Sequence, residues 1–416
     1  MLLHIPPALH HRKFRLLWIG LAISIAGSQM QVWALLWHIR TLTDQPIALG
    51  GIGLARIVPI IAFSLVGGAV ADTLNRRLVL FITQSAMALT ALALAWLTFQ
   101  GRIELWHIYA LTAIQAVAIA FDLPARQALV PNLVPGRDLP SAFSLQSIAF
   151  QTGSILGPAL SGLVIAYWGQ PYTYLINAIS FLAVILALVA IGPVPQKVQA
   201  GERVEISLRS IAEGVHFILA QPIILSSMLL DFFATFFSSA NTLMPIFARD
   251  ILGVGAVEYG WLSAAQSIGA VIAALVISQI DEIRRQGPIF LASVVAFGLA
   301  TIAFGLSRTV LLAMLALVLV GASDSVSTII RNTIRQLQTP DHIRGRMTSI
   351  NQVFFLGGPQ LGEVEAGTVA QIFGAPFAIV SGGVGCILAV VWIARRWPQL
   401  LHYNGDEPVR AGAVAD

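Results

Sequence analysis

Gly153-Ser154-Ile155-Leu156-Gly157-Pro158-Ala159-Leu160-Ser161-Gly162 is the stretch on which the reading of this chain turns. Its glycines return 205 residues later: Gly153 falls on Gly358, Gly157 on Gly362 and Gly162 on Gly367. The same register carries Gly169 onto Gly374 and Pro171 onto Pro376, and upstream it aligns Arg126 with Arg331, Pro135 with Pro340 and Phe150 with Phe355. Glycine and proline mark backbone conformations rather than composition, so a shared register of this kind implies two copies of one structural unit. Such a duplication implies a pseudo-twofold axis along the membrane normal, with a ligand held between the halves near the midplane.

Outward from this stretch the chain is apolar almost throughout. Of its 416 residues, 57% are hydrophobic and only 11% charged, and the mean hydropathy is +0.81. Lipid is the solvent such a composition requires. Apolar runs at about residues 14–38, 48–70, 78–100, 107–127, 141–166 and 171–192 are each long enough to span a bilayer. Six more fall at about 222–246, 259–280, 288–307, 309–330, 347–371 and 374–395. The first run, from Phe14 to Trp37, is too long for a signal peptide and is expected to remain as a span.

The resulting division is 1–192 for an N-terminal six-helix bundle, 193–221 for a cytoplasmic connector, 222–396 for a C-terminal bundle and 397–416 for a cytoplasmic tail. Apolar residues at helical spacing from Ser207 to Leu219 fit an amphipathic helix on the membrane surface, and a flexible tether fits the composition equally.

Charge assigns the sides. If the N-terminus is cytoplasmic, all of the 24 basic residues except Arg40, Arg56, Arg102, Arg249 and Arg308 fall on cytoplasmic segments. The positive-inside rule then places both termini on the cytoplasmic side. Those basic residues are scattered, which argues against a nucleic-acid partner. The single cysteine, Cys386, excludes an internal disulfide and a cysteine metal cluster. No HExxH, phosphate-binding loop or nucleophile elbow is present, so a membrane enzyme has no chemistry to offer, and no metal or cofactor is expected.

Between spans two and three stands Gly68-Ala69-Val70-Ala71-Asp72-Thr73-Leu74-Asn75-Arg76-Arg77. It resembles the loop signature of the major facilitator superfamily, with Asn75 where a second glycine is usual; asparagine also tolerates a left-handed turn. The resemblance implies a cytoplasmic gate made by Gly68, Asp72, Arg76 and Arg77, with Asp72 placed near the N-terminal dipole of span eleven. The Gly153, Gly157, Pro158 and Gly162 run looks like the superfamily's antiporter signature, found in its exporters. In addition, Phe121-Asp122-Leu123-Pro124-Ala125-Arg126-Gln127-Ala128-Leu129-Val130-Pro131 and Leu139-Pro140-Ser141-Ala142 are similar to the branch that holds the enterobactin exporter and the macrolide efflux proteins. Taken over essentially the whole chain, the resemblance implies an all-α membrane protein of twelve transmembrane helices in two pseudo-symmetric six-helix bundles, working as a monomer.

Ionisable residues inside the spans are the functional candidates, because each costs several kcal/mol in hydrocarbon unless paired or hydrated. Arg56 in span two and Glu363 and Glu365 in span eleven share a depth. They could form an outer gate that protonation weakens, or a permanent structural salt bridge. Asp231 lies among Phe232, Phe233, Phe236 and Phe237, a setting suited to a bulky and possibly cationic substrate. Asp324 could pair locally with Arg331 or serve a proton or substrate, and Gln29 and Gln31 could line the cavity. The expected function is proton-coupled export of a small amphiphilic molecule, siderophore or drug-like, by alternating access. A proton-coupled importer or facilitator of a small metabolite is the alternative, and a channel or receptor would leave the two-half repeat unexplained.

Overall fold

The computed structural model describes residues 6–195, 215–238, 240–280 and 283–405, and these are helical with no strand. In chain order the long helices are α1 (Arg12–Leu42), α2 (Pro46–Thr73), α3 (Arg76–Phe99), α4 (Leu105–Leu129), α5 (Leu139–Tyr167) and α6 (Gln170–Ile191). There follow α7 (Pro222–Phe237), α8 (Ala256–Ile277), α9 (Gln286–Leu306), α10 (Val310–Gln338), α11 (Asp341–Phe373) and α12 (Ala375–Arg396). Eleven helical segments among the described residues are long and apolar enough to cross a membrane; α11, with 33 residues, stands outside that set and carries Glu363 and Glu365. The amphipathic connector expected before α7 falls largely on 196–214, and the end of the tail on 406–416, both outside the described residues.

The chain forms two compact units. Unit 1 takes in residues 1–44, 54–201 and 254–264; unit 2 takes in 45–53, 202–253 and 265–416. Within unit 1 the packed pairs are α1 with α5 and α6, and α3 with α4 and α6. Six helices later unit 2 repeats them, with α7 against α11 and α12 and α9 against α10 and α12. The packing scheme is therefore duplicated along with the glycines. Gly169 and Gly374 show why the register persists: each has a positive φ, +91° and +87°, and each opens the next helix with Pro171 or Pro376 in its first turn.

Both units incorporate a helix start from elsewhere in the chain. In unit 2 the first turns of α2 lie on α11, where a Cβ on Gly367 would come within 3.0 Å of the Gly50 Cα. Unit 1 has the corresponding crossing of α8 on α5, with the Gly260 Cα 2.9 Å from a Cβ on Gly162. Backbones meet at both crossings because neither partner carries a side chain. Tyr259 secures the α8 start further, its hydroxyl donating to the Trp33 carbonyl at 2.8 Å and its ring centred 4.9 Å from that of Trp37.

Two boundaries differ from the hydropathy pattern. The seventh apolar run is expected to be unbroken, yet α7 stops at Phe237 and the chain resumes as a 3-10 turn at Ala240–Leu243 before reaching Ile251. Pro245 has no N–H for the Asn241 carbonyl. Helix α10 runs past its apolar stretch to Gln338, so Arg331 and Arg335, expected on a cytoplasmic segment, lie inside a helix and are buried.

The close crossing makes a prediction about stability. Gly162→Val inserts a branched side chain where backbone meets backbone and should cost about 1–3 kcal/mol by overpacking. Gly68→Ala should be stability-neutral, since a Cβ there meets nothing within 4 Å. Thermal unfolding of the detergent-purified variants distinguishes the two, and equal melting temperatures would contradict the assignment.

Candidate transport site

Charge is concentrated in unit 2 on α7 and α10. Asp231 is 2% exposed and Arg331 3% exposed, and Arg331 Nη1 forms an ion pair with Asp231 Oδ1. One turn further along α10, Arg335 donates to the side chains of Asn332 and Asn351, the latter on α11. Asp324, also on α10, acts electrostatically on Asp231 along with Arg331 and Arg335. Burying both ions is expensive, and their mutual attraction repays that cost only while both partners stay in register. Asp231 thus meets a guanidinium, and Arg331 also acts electrostatically on Asp324 of its own helix.

The aromatic residues beside Asp231 pack on one another. Phe232 stacks on Phe236 at 5.9 Å and meets Phe354 of α11 edge-on at 6.0 Å, while Phe233 meets Trp392 of α12 at 5.9 Å. Phe232 and Phe236 are half-buried. The ring cluster ties α7 to its two neighbours and holds Asp231 at a fixed rotation.

Unit 1 treats the equivalent arginine differently. Arg126 binds Asp122 of its own helix, through Nε at 3.1 Å and through Nη2. Asp122, 1% exposed, also accepts from Thr83 Oγ1 at 3.0 Å and Gln84 Nε2 at 2.8 Å. This carboxylate is saturated by donors from α3 and α4. Its counterpart in unit 2 is supplied across a helix interface instead.

The loop between α2 and α3 is tied down by its basic residues. Arg76 donates to the carbonyls of Ala71 at 3.1 Å and Ala128 at 3.0 Å and to Asn132 Oδ1 at 2.8 Å; Arg77 donates to the Leu188 carbonyl at 2.7 Å. Asn75 does not adopt the left-handed turn expected of it: its φ is −64°, and its side chain caps α3 by accepting from the amides of Arg77 and Leu78. A cap fulfils the stop-and-restart that glycine would otherwise provide. Gly68 and Asp72 lie in the last turns of α2, and the side chain of Asp72 is outside the described residues.

On α5 the glycine run divides between two faces. Gly153 and Gly157 abut α1, where a Cβ on Gly157 would lie 3.0 Å from the Gln29 backbone carbon. Pro158 and Gly162, one position round, face the start of α8. Gln29 donates to Ser154 Oγ at 3.2 Å, and Gln31 belongs to a buried chain that runs from Asn177 to Gln115. Arg56, Glu363, Glu365 and Asp324 are all half-buried. Arg56 falls in unit 1 and the two glutamates in unit 2, where Glu363 Oε2 would lie 3.1 Å from a Cβ on Gly53.

The Asp231–Arg331 partnership was missed because hydropathy ended span ten before Arg331. The Arg126 to Arg331 register was the signal that could have found it, since an arginine matching a membrane-helix arginine calls for an acid. The pair sets a stability test. Asp231→Asn leaves Arg331 buried without its counter-ion and should destabilise by about 3–5 kcal/mol, whereas Asp231→Leu with Arg331→Met should recover most of that loss. Unfolding midpoints of the single and double variants measure it.

Comparison with known proteins follows the same lines. The family model described as transmembrane secretion effector matches residues 6–403. The enterobactin exporter EntS of Escherichia coli (strain K12) is 26% identical over 344 residues, 83% of this chain and 82% of that protein. EntS of Citrobacter koseri is 25% identical over 405 residues, 97% of this chain and 96% of its own. Among solved structures, the nucleoside transporter NupG superposes with a TM-score of 0.72 at 17% identity, covering 94% of this chain and 99% of that one. A bacterial homologue of the lysosomal transporter Spinster gives 0.70 at 13%, covering 96% and 97%. The fold is the major facilitator fold, and the chain belongs to the transmembrane secretion effector family of membrane transporters.

Proposed function

We propose that this protein exports a small amphiphilic molecule across the bacterial inner membrane in exchange for protons, by alternating access of two six-helix halves, 1–192 and 222–396. In this reading it acts as a monomer with both termini in the cytoplasm. The export direction is supported by the α5 glycine run and by relatives named as exporters.

The observation that carries proton coupling is the Asp231–Arg331 pair between α7 and α10. A proton on Asp231 removes its charge and takes from the buried Arg331 its ion-pair partner. Such a state relaxes only if α7 and α10 rearrange, so proton binding has a differential effect on two conformations, which coupling requires. Asp324 and Arg335 share the same local field and adjust how readily the proton is taken up. Glu363 and Glu365, two residues apart on α11, supply further protonatable groups, with Arg56 as the proposed counter-charge at the outer gate. Gly68, Asp72, Arg76 and Arg77 form the proposed cytoplasmic gate.

Transport into inverted membrane vesicles under an imposed acid-inside gradient tests this. A panel of labelled amphiphiles, enterobactin among them, should include a compound that accumulates and is released by a protonophore. Asp231→Asn should lower gradient-driven accumulation at least about tenfold, a 1.4 kcal/mol effect, while substrate exchange without a gradient continues. Unchanged accumulation in that variant would refute the coupling role, and accumulation in right-side-out vesicles instead would establish import.

A further inference from the structure

Where α12 finishes, unit 2 exposes three arginines: Arg285 just before α9, and Arg395 and Arg396 in the last turn of α12. We propose that they form a binding site for an anionic membrane lipid with two phosphates, of the diphosphatidylglycerol class, seated on the bilayer-facing sides of α9 and α12. The proposal stands apart from the export reading, because its ligand belongs to the bilayer and is not the transported molecule.

Backbone contacts bring the two helix ends together. The Gly287 amide donates to the Tyr403 carbonyl at 2.9 Å, and Leu400 and Tyr403 are buried in the unit 2 core, so the chain leaving α12 folds onto the first turn of α9. Further along, the helices cross where a Cβ on Gly383 would lie 2.7 Å from the Gly298 carbonyl oxygen. With 22 residues, α12 rises about 33 Å, just more than the ~30 Å of bilayer hydrocarbon. Its last turn therefore emerges at the level of lipid phosphates, and Trp392 and Trp397 mark that interface on either side of the arginine pair. Val384, Leu388 and Val391 continue the Arg395 face of α12 into the bilayer at helical spacing, all exposed, and Ile289 and Leu299 are exposed on α9. An apolar face that ends in guanidinium groups matches a phospholipid, with acyl chains along the helices and phosphates at the arginines.

Charge selects the lipid. Among the described residues, none of the three guanidinium groups has an ion pair or a hydrogen bond, and Arg396 lies over the Trp397 ring at 5.4 Å. No Asp or Glu occurs between Glu365 and Asp406; the acids nearest Arg285 in sequence, Asp281 and Glu282, are outside the described residues. Arg285 has a backbone signal as well. Its φ of +56° is the one positive φ among the described non-glycine residues, a conformation that costs energy for any side chain with a Cβ. Glycine would hold that turn without strain, so what arginine adds there is its guanidinium. The feature is not part of the duplicated plan, because the 205-residue register sets Ala190 and Ile191 against Arg395 and Arg396. At the end of α6 the basic residue present is Arg77, and its Nε is engaged by the Leu188 carbonyl. Unit 1 thus satisfies its arginine internally, whereas unit 2 leaves three for a ligand. Guanidinium groups bind phosphate oxygens bidentately, and three of them suit a headgroup with two phosphates better than one with a single phosphate.

The test titrates the full chain, purified in a neutral detergent, with tetraoleoyl diphosphatidylglycerol, dioleoyl phosphatidylglycerol or dioleoyl phosphatidylcholine, and counts bound lipid by native mass spectrometry. Diphosphatidylglycerol should bind at least about tenfold more tightly than phosphatidylcholine, with phosphatidylglycerol between them, and Arg395→Gln with Arg396→Gln should remove about tenfold of that affinity. Arg285→Gly should also weaken binding without lowering the melting temperature, because glycine takes the left-handed turn freely, which separates loss of the ligand from loss of the fold. Arg12→Gln with Arg137→Gln, two exposed arginines of unit 1, should leave the affinity unchanged. An equal loss in that unit 1 pair would mean diffuse attraction to any surface arginine and would overturn the site. Diphosphatidylglycerol binding indifferent to the α12 pair, or no tighter than that of phosphatidylglycerol, would overturn it as well.

Discussion

A chain with so little charge and so much hydrocarbon around it is governed by one constraint: any ionised or unpaired polar group inside the bilayer must find its partner within the protein. The buried Asp231–Arg331 pair between α7 and α10 is the sharpest instance. It lets two charges lie 2% and 3% exposed in a membrane helix bundle, and it ties the placement of those helices to each other. Asp122, held by Thr83, Gln84 and Arg126, obeys the same constraint with partners from α3 and from its own helix.

The two halves thus share one packing plan and differ in how the equivalent arginine is paired. Arg126 and Arg331 occupy the same place in the repeat. In unit 1 the acid lies four residues earlier on the same helix. In unit 2 the acid comes from a different helix, which fills the comparable position with an interhelical bond.

Most of the fold was legible in the sequence because hydropathy and glycine spacing report directly on bilayer crossing and backbone approach. The matched Gly169 and Gly374 turns and the α5 motif are such signals: each needs a residue without a Cβ, whatever the surrounding sequence. Features that depend on partners distant in sequence were not legible. Arg331 looked like a loop cation because the apolar run ends before it, and only the fold shows α10 continuing. The break after Phe237 and the contact of α8 with α5 through Gly260 depend on small residues whose partner helices hydropathy does not name.

The claim that a proton on Asp231 changes how α7 and α10 sit is tested most directly by distance. Spin labels at Leu219, just before α7, and Leu337, near the end of α10, occupy positions 61% and 48% exposed, and the native Cys386 is buried. The pulsed-EPR distance distribution between them should shift on acidification in the wild-type background and should already be in its acidic form at neutral pH in Asp231→Asn. Identical distributions in the two backgrounds at every pH would contradict the account.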